Sequence, residues 1–327
     1  MILALLALVG PIDVRSEPFP ALDEPRQSGC LVVRDAITLT GSAPFGGYSD
    51  ILLDAEGGSA LAISDTGHVL PLALTFDAEG DVTAATASRW HPMIDAQGRT
   101  LDKQTGDAEG LAPVADGYVV TFEGEDRLVP MTAKGRLGAA QAPAEEDEDV
   151  LGANSGFEGL ARLRDGSLIA ISEGKRDGLA IVRSGRQDEA FSAWRRSAYR
   201  PAEDFAVTAV RQDAASGDLF VLERAWSPWR GARARLVRVP EDRIGDAVVE
   251  GEALGRLGFL EGIDNMEGMD LAPAPDGSLR LYLLSDDNVS PVQRTVLMTV
   301  GLAAGCGSGA AEAAAGTDAP AQEPVED

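Results

Sequence analysis

Along the chain, short apolar runs alternate with Asp-Gly turns in a unit that recurs, and that alternation predicts paired strands. The clearest copies are Asp107–Ala112, the turn Asp116-Gly117 and Tyr118–Glu123, then Gly156–Ala161, the turn Asp165-Gly166 and Leu168–Glu173. A third clear copy runs from Asp264–Asp270 through Asp276-Gly277 into Leu281–Asn288. Phe45–Leu53 with Leu61–Asp65 is a looser copy, and Asp204–Val210 with Leu219–Arg224 is a degenerate one with a longer turn. Corresponding positions at Asp50, Glu109, Glu158, Thr208 and Glu267 are spaced by roughly 50 residues, the period of propeller blades of short strands.

The expected fold is therefore all-β, a six-bladed β-propeller. Its sixth blade would form by pairing N-terminal strands around Leu31–Leu39 with the late strand Thr295–Val300, which leaves no open sheet edge. The propeller would span residues 29–301. Residues 1–28 comprise an apolar run, Ile2–Val9, and a Pro- and acid-rich extended arm from Ser16 to Ser28. The apolar run is too short to span a bilayer and reads either as a signal-peptide core without a preceding base or as a buried terminal strand. Residues 302–327 are mostly Ala, Gly and acids and are expected to be disordered. The acidic run Glu145–Asp149 is expected to be a solvated insertion without a catalytic role.

Composition narrows the function. The 327 residues carry 53 acids against 28 bases, a net charge of −25, which argues against nucleic acid and anionic membrane surfaces and favours a cation as partner. Cys30 and Cys306 lie at opposite ends, so no disulfide framework or cysteine-rich zinc site can be read. His68 and His91, the two histidines, read as turn or surface residues.

The repeated acids carry the candidate chemistry. The first strand of each propeller blade lines the central channel, so Asp50, Glu109, Glu158 and Glu267 would share one space. Asp65, Glu123, Glu173, Glu223, Asp286 and Asp287 end the neighbouring strands and would form a second ring. Converging carboxylates repel unless protons or a cation neutralise them. Oxygen ligands without His or Cys favour Ca2+, with Asp50, Glu109, Glu158, Glu267 and Asp286 as its ligands. Glu109, Glu158 and Glu267 are also the candidate catalytic residues, and Arg224 and Asn265 the candidate substrate contacts. The plainer alternative is that these acids only cap backbone amides.

Other features carry less. Ser49 and Ser285 lie outside any Gly-x-Ser-x-Gly elbow. Lys175, Arg176, Arg195, Arg196 and Arg200 either grip a phosphate or offset the acidic surface. Trp226 and Trp229 around Pro228 suggest a partly apolar loop at the rim of a pocket.

Asp107–Ala112, Glu223-Arg224, Asn265–Met269, and Ser285–Asn288 with Gln293-Arg294-Thr295 resemble the bacterial phytase-like propellers described by esterase-like activity, over roughly Pro25 to Val300. That resemblance implies a six-bladed propeller, usually exported to the periplasm or secreted, acting as a hydrolase on phosphate or other esters. The substrate would be a small-molecule ester, with no nucleic-acid partner, no transmembrane segment and a monomeric state. The glutamate near each blade start also resembles calcium-dependent gluconolactonase propellers, which makes a lactone the alternative substrate. A non-catalytic binding scaffold is the second alternative. The chain departs from the family pattern at Phe122-Glu123-Gly124, where Arg is expected after the Glu, and at Thr208-Ala209, where an acid is expected.

Overall fold

The computed structural model describes residues 10–306, apart from 20, 21, 23, 55–57, 149, 153 and 154. The apolar run Ile2–Val9 and the tail beyond 306 lie outside the described residues. Within them the chain is all-β, without an α-helix.

Three strands precede the repeats: β1 (Gly10–Pro18), β2 (Arg26–Ser28) and β3 (Leu31–Gly41). The first sheet holds β4 (Tyr48–Leu53), β5 (Ser59–Ser64), β6 (His68–Phe76) and β7 (Val82–Pro92), and the second β8 (Ala108–Val114), β9 (Gly117–Phe122) and β10 (Arg127–Met131). The third is built from β11 (Phe157–Arg162), β12 (Leu168–Arg176), β13 (Leu179–Gly185) and β14 (Arg195–Tyr199). The fourth contains β15 (Ala206–Gln212), β16 (Leu219–Ser227), β17 (Gly231–Val239) and, beyond β18 (Val248–Val249), β19 (Glu252–Leu257); β18 pairs in parallel with β14. The fifth is β20 (Asn265–Pro273), β21 (Leu279–Asp286) and β22 (Thr295–Leu302), with β3 as its fourth strand.

The hairpins form where the sequence pattern puts them. Gly166 and Gly277 hold positive φ angles of 84° and 79° in their Asp-Gly turns, a region where side chains are strained. The apolar runs then bury between neighbouring sheets: Ile169, Ile171 and Val182 of the third pack against Val207, Val221 and Val237 of the fourth. Each such side chain contributes about 1.5–3 kcal/mol by leaving water.

The leading strands pack in a cycle: β4 against β8, β8 against β11, β11 against β15, β15 against β20, and β20 against β4. Among the described residues that cycle has five members, not the six expected. The reason is visible in the pairing: β3 runs antiparallel to β22, Leu39 opposite Thr295 and Leu31 opposite Leu302, and so completes the fifth sheet instead of founding another. Residues placed before the propeller also join the sheets: β2, at the end of the expected arm, pairs with β3. β1 pairs with β3 on one side and β7 on the other, which fuses the first and fifth sheets through hydrogen bonds.

Arg211 of β15 is buried where the five leading strands meet. Its Nη2 donates to both carboxylate oxygens of Asp50 on β4, at 2.8 Å each, and to the Ile51 carbonyl. Its Nη1 donates to the Leu160 carbonyl of β11, and its Nε lies 3.4 Å from Asp270 of β20. Asp50 in turn accepts from the Leu111 amide of β8 at 2.8 Å. One guanidinium and its partners therefore reach all five leading strands.

Three further expectations change. The acidic run is not wholly solvated: Glu145, Glu146 and Glu148 are exposed, but Asp147 is fully buried and accepts from Arg183 at 2.8 and 2.9 Å and from Arg196 at 3.0 Å. His68 and His91 are buried, not surface residues. Residues 303–306, assigned to a disordered tail, are held by a Cys30–Cys306 disulfide that joins chain positions 276 apart, and the Ala303 amide donates to the Cys30 carbonyl.

Two stability outcomes follow. Arg211→Ala leaves Asp50 and Asp270 buried without their cation and is expected to destabilise the fold by about 3–5 kcal/mol in urea unfolding. Cys30→Ser/Cys306→Ser is expected to lose about 2–4 kcal/mol, and a reductant should lower the melting temperature of the parent chain but not of the variant.

Candidate functional site

In every leading strand the antiparallel register slips near its first residues. The slips fall between Tyr48 and Asp50, Ala108 and Leu111, Phe157 and Gly159, Val207 and Ala209, and Met266 and Gly268. The residues within them are Ser49, Glu109 with Gly110, Glu158, Thr208 and Glu267. A β-bulge adds one residue to the strand and re-aims its side chain, so these positions form the ring facing the channel. The glycine after each glutamate has a steric reason: a Cβ on Gly268 would lie 3.0 Å from the Asp50 Cα.

Glu109, Glu158 and Glu267 thus come together, with Ser49, around a cavity of about 210 Å3. Asp65, Glu123, Glu173 and Asp286, at the ends of the second strands, complete it with Lys103, Arg224 and Asn288. Asp50 does not join them. The bulge puts Ser49 at the ring position, and the one-residue offset turns Asp50 toward Arg211, as a register slip must. Glu223 also stays apart: it accepts from Tyr199 Oη and Arg235 Nη1, each at 2.6 Å. Asp287 accepts from the Gly47 amide and Thr295 Oγ1, and so ties a loop.

Two cations sit in this acidic setting. Lys103 Nζ bridges Asp65 and Asp107 at 2.7 Å each. Arg224 donates to Asn265 Oδ1 at 2.5 Å and to Glu173 at 3.2 Å, and lies 3.3 Å from Glu267. Asn265 returns a bond from Nδ2 to Glu267 Oε1 at 2.7 Å, so its amide is committed to positioning Arg224 and Glu267. The other proposed phosphate-gripping bases stay elsewhere, Lys175 on the carbonyls of Glu203 and Phe205 and Arg200 on Glu250. A larger cleft of about 660 Å3 between β1, β6 and β7 gathers no comparable set of acids.

The charge balance shows in proton affinity. Burial first, then the charges of Glu158 and Glu267, push Glu109 well above the usual carboxylate range. Burial and Glu173 do the same to Glu158 against the opposing pull of Arg224. Burial lifts Glu267 to about 7, Glu123 to about 7 and Asp286 to about 8. Carboxylate oxygens of Glu123, Glu158 and Glu173 lie within 4.8 Å of one another, as do those of Asp107, Glu109 and Glu123. Both sets are spaced to share one cation, and Glu123 belongs to both.

Lys103 escaped sequence reasoning, as did the ring position of Ser49. Lys103 lies in a connection without a repeat partner, and Ser49 was masked by the more conspicuous acid beside it.

The raised carboxyls bind protons in the folded chain that the unfolded chain has already released. Stability of chelator-treated protein is therefore expected to fall as pH rises from about 5 to about 8, by about 1–3 kcal/mol in urea titrations.

A family model described as phytase-like, esterase-like activity of phytase, matches residues 43–289. No curated protein matches the chain. Among solved structures, the chain is similar to U3-55K, at 10% identity over 82% of this chain and 98% of that one, with a TM-score of 0.39. It is also similar to a hypothetical protein from Leishmania major, at 11% identity over 79% and 87% with a TM-score of 0.44. The RRP9 WD40 repeats match at 10% identity over 86% and 100%, with a TM-score of 0.40.

Proposed function

The chain belongs to the phytase-like family, and from that premise we propose that it is a metal-dependent hydrolase of phosphate or other esters, working in the carboxylate cavity. The observation that carries this reading is the convergence of Glu109, Glu158 and Glu267 with second-strand acids in one buried space. Purely structural caps would bond backbone amides. Here Glu109 is instead held against the charges of Glu158 and Glu267, and Glu158 against those of Glu173 and Glu267.

The residues fit a hard cation. The donors are oxygens without His or Cys, and the two three-acid sets have the spacing to share an ion. Asp65 Oδ1 and the Ser49 hydroxyl are buried without a hydrogen-bond partner, which leaves them available to a ligand or its water. Ca2+ suits this set best, with Glu109, Glu123, Glu158 and Glu173 holding it and Asp286 near by. Once bound it would polarise the ester oxygen and acidify a water molecule.

The chain's own groups supply the rest. Arg224, fixed by Asn265 and Glu173, offers N–H donors to a phosphoryl or acyl oxygen and stabilises charge that develops there. Glu267 is oriented by the Asn265 amide and its affinity for a proton lies near neutrality, which suits it to take a proton from the attacking water. Ser49 donates its hydroxyl to a substrate oxygen. The Cys30–Cys306 bond supports a periplasmic or secreted location, because such bonds persist in oxidising compartments.

The test uses p-nitrophenyl phosphate, p-nitrophenyl acetate, phytate and a simple lactone, each with Ca2+ and with chelator. Turnover of an ester is expected with Ca2+ and not with chelator, and Glu267→Gln should lower kcat by about 10²–10⁴-fold with the fold intact. A calcium-induced thermal shift without turnover of any substrate would sink the enzymatic reading and leave a binding scaffold. Turnover of the lactone alone would make the protein a lactone hydrolase.

A further inference from the structure

Resting on the ester-hydrolase reading, we propose that the substrate is an amphiphile: a small polar head carries the ester into the acidic cavity while an apolar chain lies across one side of its rim. Among the described residues, the large apolar side chains exposed to solvent are Trp226, Trp229, Leu260, Val289 and Val292. Single exposed apolar residues are ordinary on any surface. These are not scattered: Trp226 ends strand β16, and the other four fall in three connections at the cavity end of two adjacent sheets.

Strand direction fixes that placement. β16 runs toward the cavity, where Arg224 lines it, and Trp226 lies on the same face of the strand two positions on. Trp229, 95% exposed, sits in the turn from β16 to β17. Val289 and Val292, the latter 86% exposed, follow Asp286 and Asn288 of the cavity wall directly. Leu260 lies in the short 3-10 turn Phe259–Glu261 that precedes β20 and Glu267. The three connections adjoin: the turn packs against β17, and the Arg294 amide donates to Asp264 at 3.1 Å, which ties the β21–β22 connection to the residues before β20.

Cavity size decides the division of the ligand. About 210 Å3 falls below the roughly 300–1,000 Å3 of sites that enclose a whole drug-sized molecule, so only a head group enters. The remainder meets the rim, and on this side the rim is aromatic and aliphatic. The net charge of −25 disfavours an anionic lipid surface as the occupant.

The experiment measures kcat/KM for p-nitrophenyl acetate, butyrate and octanoate below their micellar concentrations, with Ca2+, in the parent chain and in Trp226→Ala/Trp229→Ala. Each methylene held against the rim raises kcat/KM by up to about fourfold. The parent should therefore favour octanoate over acetate by at least about tenfold. The double variant should lose that preference and keep its acetate rate, since both side chains are exposed and outside the cavity. In parallel, calorimetry compares methylphosphonate with octylphosphonate, which is not turned over. At least about tenfold tighter binding of the longer ligand, abolished in the double variant, supports the proposal even if no ester is hydrolysed, in which case the hydrolase reading alone falls. A flat acetate-to-octanoate series with equal phosphonate affinities overturns the proposal and leaves the hydrolase reading standing. Chain-length preference that survives the double variant also overturns it, as does co-sedimentation with phosphatidylcholine vesicles without any preference, which would make the patch a membrane-docking face.

Discussion

The contact between Arg211 and Asp50 is the constraint that the rest of the molecule is arranged around. A propeller-like ring has no helix or second layer at its centre, so its leading strands must be held together by what fills the channel. In this chain an ion pair fills it. Both partners are nearly inaccessible, and each bonds backbone groups from neighbouring strands, while Arg211 Nε has only the ion-pair contact to Asp270. Burying two charges is costly unless their donors and acceptors find partners, and convergence of strands from five sheets supplies most of these. The pair is therefore as much a specification of the ring as a contribution to its stability: only this closure brings Leu160, Ile51 and Asp270 to the guanidinium and Leu111 to its carboxylate partner.

That plug also sets the electrostatics above it. With the channel closed one step below the bulges, the carboxylates of Glu109, Glu158 and Glu267 face a blind cup, where water can screen them only from the open end. Their elevated proton affinities have burial as the first cause, and mutual repulsion adds to it. Arg224 and Lys103 answer part of this charge, but each is already shared between acids. The remaining imbalance is what makes a cation or a set of protons a requirement of the folded state.

Much of this was legible in the sequence because blade geometry writes itself as repetition. The apolar runs, their Asp-Gly turns and the glutamates at 109, 158 and 267 are local signals, and the structure puts those glutamates in one cavity. What escaped was non-local or a matter of one residue. The acid in the first strand of the first copy, Asp50, drew the alignment one position away from Ser49, and a bulge is invisible to a pattern of period two. The number of blades depended on where β3 ends up, which is a pairing across almost the whole chain. The disulfide spans a similar distance and leaves no spacing signature. Asp147 looked like surface because it stands in a run of acids, whereas Arg183, the base that buries it, lies far along the chain.

The asymmetry of the mouth follows from the same arrangement. Leading strands bring acids to the floor in the second, third and fifth sheets, while the fourth contributes Thr208, whose hydroxyl reaches the Met266 carbonyl at 3.3 Å. The fourth sheet thus has no carboxylate on the floor and supplies Arg224 from its second strand instead. Its hairpin then continues outward to Trp226 and Trp229, so the side of the cup with the least negative charge is also the side with the most apolar rim. A ligand approaching over that side meets a guanidinium before it meets the acids. An anionic or strongly polarised oxygen would therefore be drawn in from the fourth sheet, with its apolar remainder trailing across the residues that already face water there.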